Sequence, residues 1–255
     1  MPFQRIEAEK LSQSVVQQIE LLILRGVLRP GDRLPSEREL SDRFGVSRPS
    51  LREAVADLTN RGLLTTRAGA GIFVADVLGS AFSPALVKLL SAHHEAVFDY
   101  ISFRRDLEAL AAERAAVAGS DTDLKVIDTI MGKMEAAHSK RNPHDEAELD
   151  VEFHLAIMEA SHNVVMLHTM RSMFDLLREG VFYNRQTMFR HRGTRDLLLD
   201  QHRAINAALQ ARDAAGARNA VIAHLTSVEE DLRNKRRAEA NEEIAQRRLE
   251  HERMR

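Results

Sequence analysis

The chain of 255 residues is long enough for two modest domains, and its 44% apolar content is ordinary for a globular protein. Zero cysteines exclude disulfides, thiolate metal sites and thiol catalysis, so any metal must be held by histidines and carboxylates. The net charge of −2 divides into +2 for residues 1–75 and −4 for the remainder, too even for total charge to argue for nucleic acid.

No uncharged apolar run approaches the ~20 residues a membrane helix needs, and the start of the chain has no signal-peptide core, which points to a soluble, cytoplasmic protein. Leu11, Val15, Ile19, Leu22 and Ile23 recur at helical spacing and predict an amphipathic helix over 9–26, closed by Gly26. Arg29-Pro30-Gly31-Asp32 makes a turn. A second helix starts after Pro35, with Ser36 as N-cap and Glu39 three residues on, the capping-box spacing. Leu40 and Phe44 give it an apolar stripe, and Gly45 ends it where a left-handed residue costs little. Ser47 then caps a third helix with Leu51, Ala54, Val55 and Leu58 on one face, ended by Gly62. Two short runs follow, Leu63-Leu64-Thr65-Thr66 and Ile72-Phe73-Val74, joined by Arg67-Ala68-Gly69-Ala70-Gly71. Helix, tight turn, helix and small hairpin make a winged helix-turn-helix, and the first helix completes its core.

Arg48, Ser50 and Arg52 stand at the start of the third helix, and Arg38 on the second. The first turn of a recognition helix meets base edges, and arginine suits bidentate contact with guanine. On a single amphipathic helix the same arginines would read equally as a solvated face. The turn and wing in the same run favour DNA. Gly69 and Gly71 serve a hairpin turn and a close approach to the DNA backbone.

These residues, LPSERELSDRFGVSRPSLREAVADLTNRGLLTTRAGAGIFV, resemble the DNA-binding domain of the GntR family of bacterial transcription regulators. The resemblance implies double-stranded DNA as partner, with contacts at Arg38, Arg48, Ser50, Arg52 and the wing glycine Gly69. Ala68 stands where some members carry a histidine.

Residues 1–75 thus form one domain, and Gly79, Ser80, Ser83 and Pro84 mark 76–84 as a linker. Beyond it only helical periodicity remains, over 85–92, 95–118, 121–139, 145–162, 164–189, 195–211 and 214–236. The expected fold is therefore mainly α: a winged helix-turn-helix followed by an all-helical antiparallel bundle of six or seven helices over 85–236. Residues 237–255 are a charged tail, either a solvated helical extension or frayed.

Asp150 and His154 lie at i and i+4, on one face of a predicted helix. His202 and His224 fall on two later helices. Singly, each histidine reads as an ordinary core or surface residue; together the four could converge in a bundle and bind a divalent metal. Arg104 and Arg105 could be a surface pair beside Asp106 and Glu108. Asn163 reads as a helix end, while Tyr183, Asn184 and Arg185 are candidates to line a pocket.

The second half resembles the helical ligand-binding domain of the FadR-type branch (FCD domain) of the same family. That resemblance implies a metal held by Asp150, His154, His202 and His224: zinc, with nickel and manganese also fitting. It further implies a small organic acid coordinating the metal as effector, with Arg104 clamping its carboxylate. The runs Ser83–Ser91 and Phe153–Leu167 resemble regulators answering to pyruvate, lactate or glycolate. The expected protein is not an enzyme but a homodimeric repressor on an inverted-repeat operator. Two alternatives stand beside it: a metal-sensing regulator, and a metal-dependent hydrolase on the helical bundle.

Overall fold

The computed structural model describes residues 8–67, 69–76, 83–93, 95–140, 142–178 and 192–254. They divide into two compact units, 1–81 and 82–255. Ala68, most of the expected linker, and Tyr183, Asn184 and Arg185 lie outside the described residues.

The first unit holds α1 (Ala8–Leu24), α2 (Glu37–Phe44), α3 (Arg48–Asn60), β1 (Leu64–Arg67) and β2 (Gly71–Val74). Local chemistry sets each boundary. The Ser36 hydroxyl accepts from the Glu39 amide at 3.3 Å and opens α2, and Gly45 closes it at φ 65°. Ser47 accepts from the Ser50 amide and opens α3. Val15, Ile19, Leu40, Leu51, Leu58, Leu64 and Val74 form one buried core. Leu11, expected on the buried stripe, is 44% exposed, because the core begins only one turn further along α1. The wing pairs antiparallel from Leu64↔Val74 to Arg67↔Gly71. The segment read as a plain turn adds a third edge to it. Arg33 bridges Phe73, and the Leu34 amide donates to the Ile72 carbonyl at 2.9 Å.

The second unit is helical among its described residues: α4 (Pro84–Ala92), α5 (Glu95–Ala118), α6 (Asp121–Lys140), α7 (Pro143–Ala160), α8 (Val164–Arg178), α9 (Arg192–Gln210) and α10 (Ala214–Arg253). Ala109, Ala111, Ala112, Ala115 and Ala116 line the buried face of α5, so neighbouring helices approach it closely. The start of α9 is fixed by a buried ion pair. Arg195 Nη2 donates to Glu146 Oε1 at 2.6 Å and to the His138 carbonyl at 2.7 Å, tying α9 to α6 and α7. With that anchor α9 begins three residues earlier than the periodicity suggests. α10 does not stop near residue 236 but continues to Arg253, and every residue from Arg237 to Arg253 is exposed.

Candidate metal centre and nucleic-acid interface

Helical spacing on α7 puts Asp150 and His154 one turn apart, and α9 and α10 bring His202 and His224 opposite them. All four are buried, between 0% and 2% exposed. One donor atom from each lies within 4.8 Å of the others. His202 Nε2 is 3.0 Å from Asp150 Oδ1 and 3.3 Å from His154 Nε2, while His154 Nε2 is 3.9 Å from Asp150 Oδ1. Bonds of about 2.1 Å to one ion put neighbouring donors roughly 3.0–3.4 Å apart at octahedral or tetrahedral angles. The shorter two separations fall in that range and the third is a wider edge.

The second nitrogen of each imidazole is already engaged, which assigns the tautomers. His202 Nδ1 lies 2.7 Å from the Leu198 carbonyl, and His224 Nδ1 lies 2.9 Å from Gln201 Oε1. His154 Nδ1 lies 2.6 Å from Glu108 Oε2, a separation that requires a proton between them. Each Nδ1 therefore donates outward, and each Nε2 is the acceptor nitrogen facing the centre. Acceptor atoms converging from three histidines and a carboxylate in a dry core suit a cation, so the residues present fit a divalent metal.

Glu108 is the residue that sequence reasoning passed over. It appeared there only as a surface neighbour of Arg104. In the fold both are buried, 2% and 1% exposed, and Arg104 Nε donates to Glu108 Oε1 at 2.6 Å. Burial raises the Glu108 carboxyl, but the Arg104 guanidinium and the His154 imidazole beside it outweigh that and lower it to about 2. One carboxylate thus grips a candidate metal ligand with one oxygen and a candidate effector clamp with the other. The i, i+4 spacing of Arg104 and Glu108 was the available signal. The Arg104 guanidinium also lies over the Phe174 ring at 4.9 Å. Arg105 turns away to Glu229 at 2.9 Å. Asn163 caps α8 instead of entering the site, its Oδ1 accepting from the Val165 and Met166 amides at 3.1 Å.

In the winged unit, Arg38, Arg48 and Arg52 are exposed on α2 and α3. Arg52 Nε donates to Glu37 Oε2 at 2.8 Å, so the two helices share an exposed ion pair. Ser50 departs from the expectation of a surface contact. It is buried, and its hydroxyl bonds that of the N-cap Ser47 at 2.9 Å. Gly69 sits exposed at the wing with φ 72°, a conformation that favours glycine. Two further arginines are exposed on the wing face. Arg67 stacks on the Phe73 ring at 4.7 Å, and the Arg33 guanidinium lies 3.2 Å from where a Cβ on Gly71 would stand. Their signal was the alternation of the wing strands, which puts Arg33, Phe73 and Arg67 on one face.

Residues 11–74 match the gntR family of bacterial regulatory proteins, and residues 83–227 match the FCD domain. The chain is 39% identical over 223 residues to a candidate L-lactate dehydrogenase operon regulatory protein of Escherichia coli K12, covering 86% of this chain and 85% of that one. It is 35% identical to the Glc operon transcriptional activator of the same strain, covering 89% and 90%. The HTH-type transcriptional regulator LutR of Bacillus subtilis is 32% identical, with 83% and 96% covered. Among solved structures, Streptococcus agalactiae GntR shares the fold at a TM-score of 0.53 and 24% identity, over 88% of this chain and all of that one. These relatives regulate transcription, and the hydrolase alternative falls with that finding. No helix among the described residues is long and apolar enough to cross a membrane. A winged helix-turn-helix with an FCD domain behind it makes this chain a member of the GntR family, a DNA-binding transcription regulator and not an enzyme.

Proposed function

We propose that the DNA affinity of this regulator is set by a small carboxylate of the pyruvate, lactate or glycolate class, bound through a divalent metal, zinc, at Asp150, His154, His202 and His224. The observation that carries the reading is the buried convergence of those four donors, with all three Nε2 atoms turned inward. A set of four protein donors on an ion that accepts five or six leaves room for an exogenous carboxylate. Arg104, held by Glu108, would meet the effector's negative charge. The name of the lactate-operon relative agrees with a 2-hydroxy acid. The DNA-reading domain would span 1–75, with 76–84 as linker, 85–236 as effector and dimerisation domain and 237–255 as charged tail. Two copies would present Arg38, Arg48, Arg52 and the wing at Gly69 to an inverted repeat, as a two-fold protein requires, with Ser50 shaping the start of α3. The effector would act by binding one DNA-affinity state better than the other and releasing a repressor.

A thermal-shift screen of metal-analysed protein against pyruvate, L-lactate and glycolate, with an EDTA-treated control, tests the reading. A ligand that binds the folded state raises Tm by mass action. The expected result is a shift with one of these acids that disappears in EDTA. A metal-loaded protein indifferent to every acid, whose DNA affinity follows metal alone, would make it a metal sensor.

Glu108→Gln provides a second check. The amide keeps the shape but loses the charge that orients His154 and Arg104. Metal affinity measured by chelator competition should fall about 10–100-fold, the usual loss when a carboxylate behind a ligating imidazole is removed. Unchanged affinity would take Glu108 out of the metal centre.

A further inference from the structure

The outward face of α5 carries a stripe that the bundle leaves uncovered. Phe103, Leu110 and Val117 are 39%, 41% and 72% exposed, at intervals of seven residues. At 100° per residue they fall within about 40° of one another; exposed Asp99 lies in the same arc, and exposed Asp106 and Arg114 flank it, each about 20° beyond one edge. Val126, Val165 and Leu197 are exposed singly on other helices, as is normal for a surface, whereas three large apolar residues in one line are not. At its Phe103 end the stripe runs into an open apolar groove of about 480 Å³ lined by Leu89, Leu90, Asp99, Tyr100 and Met173.

The charges identify what covers it. Asp106 and Arg114 stand four residues to either side of Leu110, about 6 Å along the axis in each direction. Neither makes an ion pair with another described residue, although an exposed arginine nearby on the bundle does, Arg218 with Glu113 of α5. We propose that α5 packs antiparallel on α5 of a second copy, about a two-fold axis passing through Leu110. Leu110 then meets its own counterpart, Phe103 meets Val117, and Asp106 of each copy meets Arg114 of the other, twice over. An isologous contact requires this pattern: opposite charges placed symmetrically about an apolar centre. A parallel, in-register pairing sets Asp106 against Asp106 and repels. A different partner gives no reason for the symmetry. This inference rests on the homodimer in the functional reading and names the face that forms it.

Charge exchange on the full chain tests it, read by sedimentation equilibrium with circular dichroism as the check on folding. Asp106→Arg and Arg114→Asp should each raise the dimer Kd at least about tenfold, since each sets like charges opposite one another. The double variant should return it to within about threefold of wild type. Leu110→Cys gives an independent readout in a chain with no other cysteine: the thiols meet at the axis, and mild oxidation should link two copies. Single reversals that leave Kd unchanged, or a double variant no better than the singles, would overturn the α5 interface while the dimer stands. A wild-type chain that stays monomeric at every concentration would overturn the dimer itself.

Discussion

The double variant His202→Ala, His224→Ala is expected to lose both metal and effector response while keeping its grip on operator DNA. Two of four donors disappear from a site with 0–1% exposure at those positions, and the remaining pair, Asp150 and His154, sits on a single helix with nothing opposite to close the coordination. Wild-type protein should gain about 2.7 kcal/mol of stability at metal concentrations a hundredfold above Kd, whereas the double variant should gain none. Metal analysis, a thermal melt with and without zinc, and an operator titration with and without effector read the three consequences separately. The winged unit has its own buried core of Ile19, Leu51, Leu58 and Leu64, so its DNA contacts do not depend on the imidazoles. A double variant that still carries metal and still answers the effector would sink the pocket.

Arg48→Ala is expected to weaken specific DNA binding by about 1–3 kcal/mol, the range for a side chain that reads a base edge. Arg48 is exposed at the first residue of α3, and the first turn of a recognition helix is the part that enters the groove. The salt dependence decides what kind of contact is lost. A base contact lowers specific affinity and relaxes sequence preference while the salt slope stays as it was. A phosphate contact lowers specific and non-specific binding alike and reduces the slope by about one. Operator and scrambled-DNA titrations at several salt concentrations separate the two, and unchanged affinity on both sequences would remove Arg48 from the interface.

Much of this was legible in the sequence because the determinants are local. Ser36, Gly45 and Ser47 act on backbone groups within four residues, so capping chemistry alone located α2 and α3. The i, i+4 spacing of Asp150 and His154 likewise needs only one helix. What escaped depends on contacts far apart in the chain. The pairing of Arg33 with Phe73 closes forty residues of separation, and no local pattern announces it. Glu108 looked like a solvated acid because α5 carries charge on several faces, and only the arrival of α7 shows which face is inside. The burial of Ser50 was not visible either: beside two exposed arginines, its hydroxyl turns to that of the N-cap Ser47. The convergence of the four candidate ligands required three helices to meet, which family resemblance suggested and periodicity could not.

The length of α10 has a consequence for the molecule's reach. Leu232 is its last buried residue, and the twenty-one residues from Arg233 to Arg253 extend for about 31 Å at the rise of an α-helix. Arg233 and Arg236 still lie over the Phe98 ring, at 4.0 and 5.0 Å; beyond them the segment has no core to hold it. Glu243 receives Arg247 at 2.5 Å and Glu242 receives Gln246 at 3.1 Å, contacts worth about 0.2–0.5 kcal/mol apiece. Salt weakens such pairs, while the packed half of the same helix supplies the nucleus from which it grows. The ion pairs along the arm weaken as ionic strength rises, so its helicity depends on salt more than that of the packed part of α10.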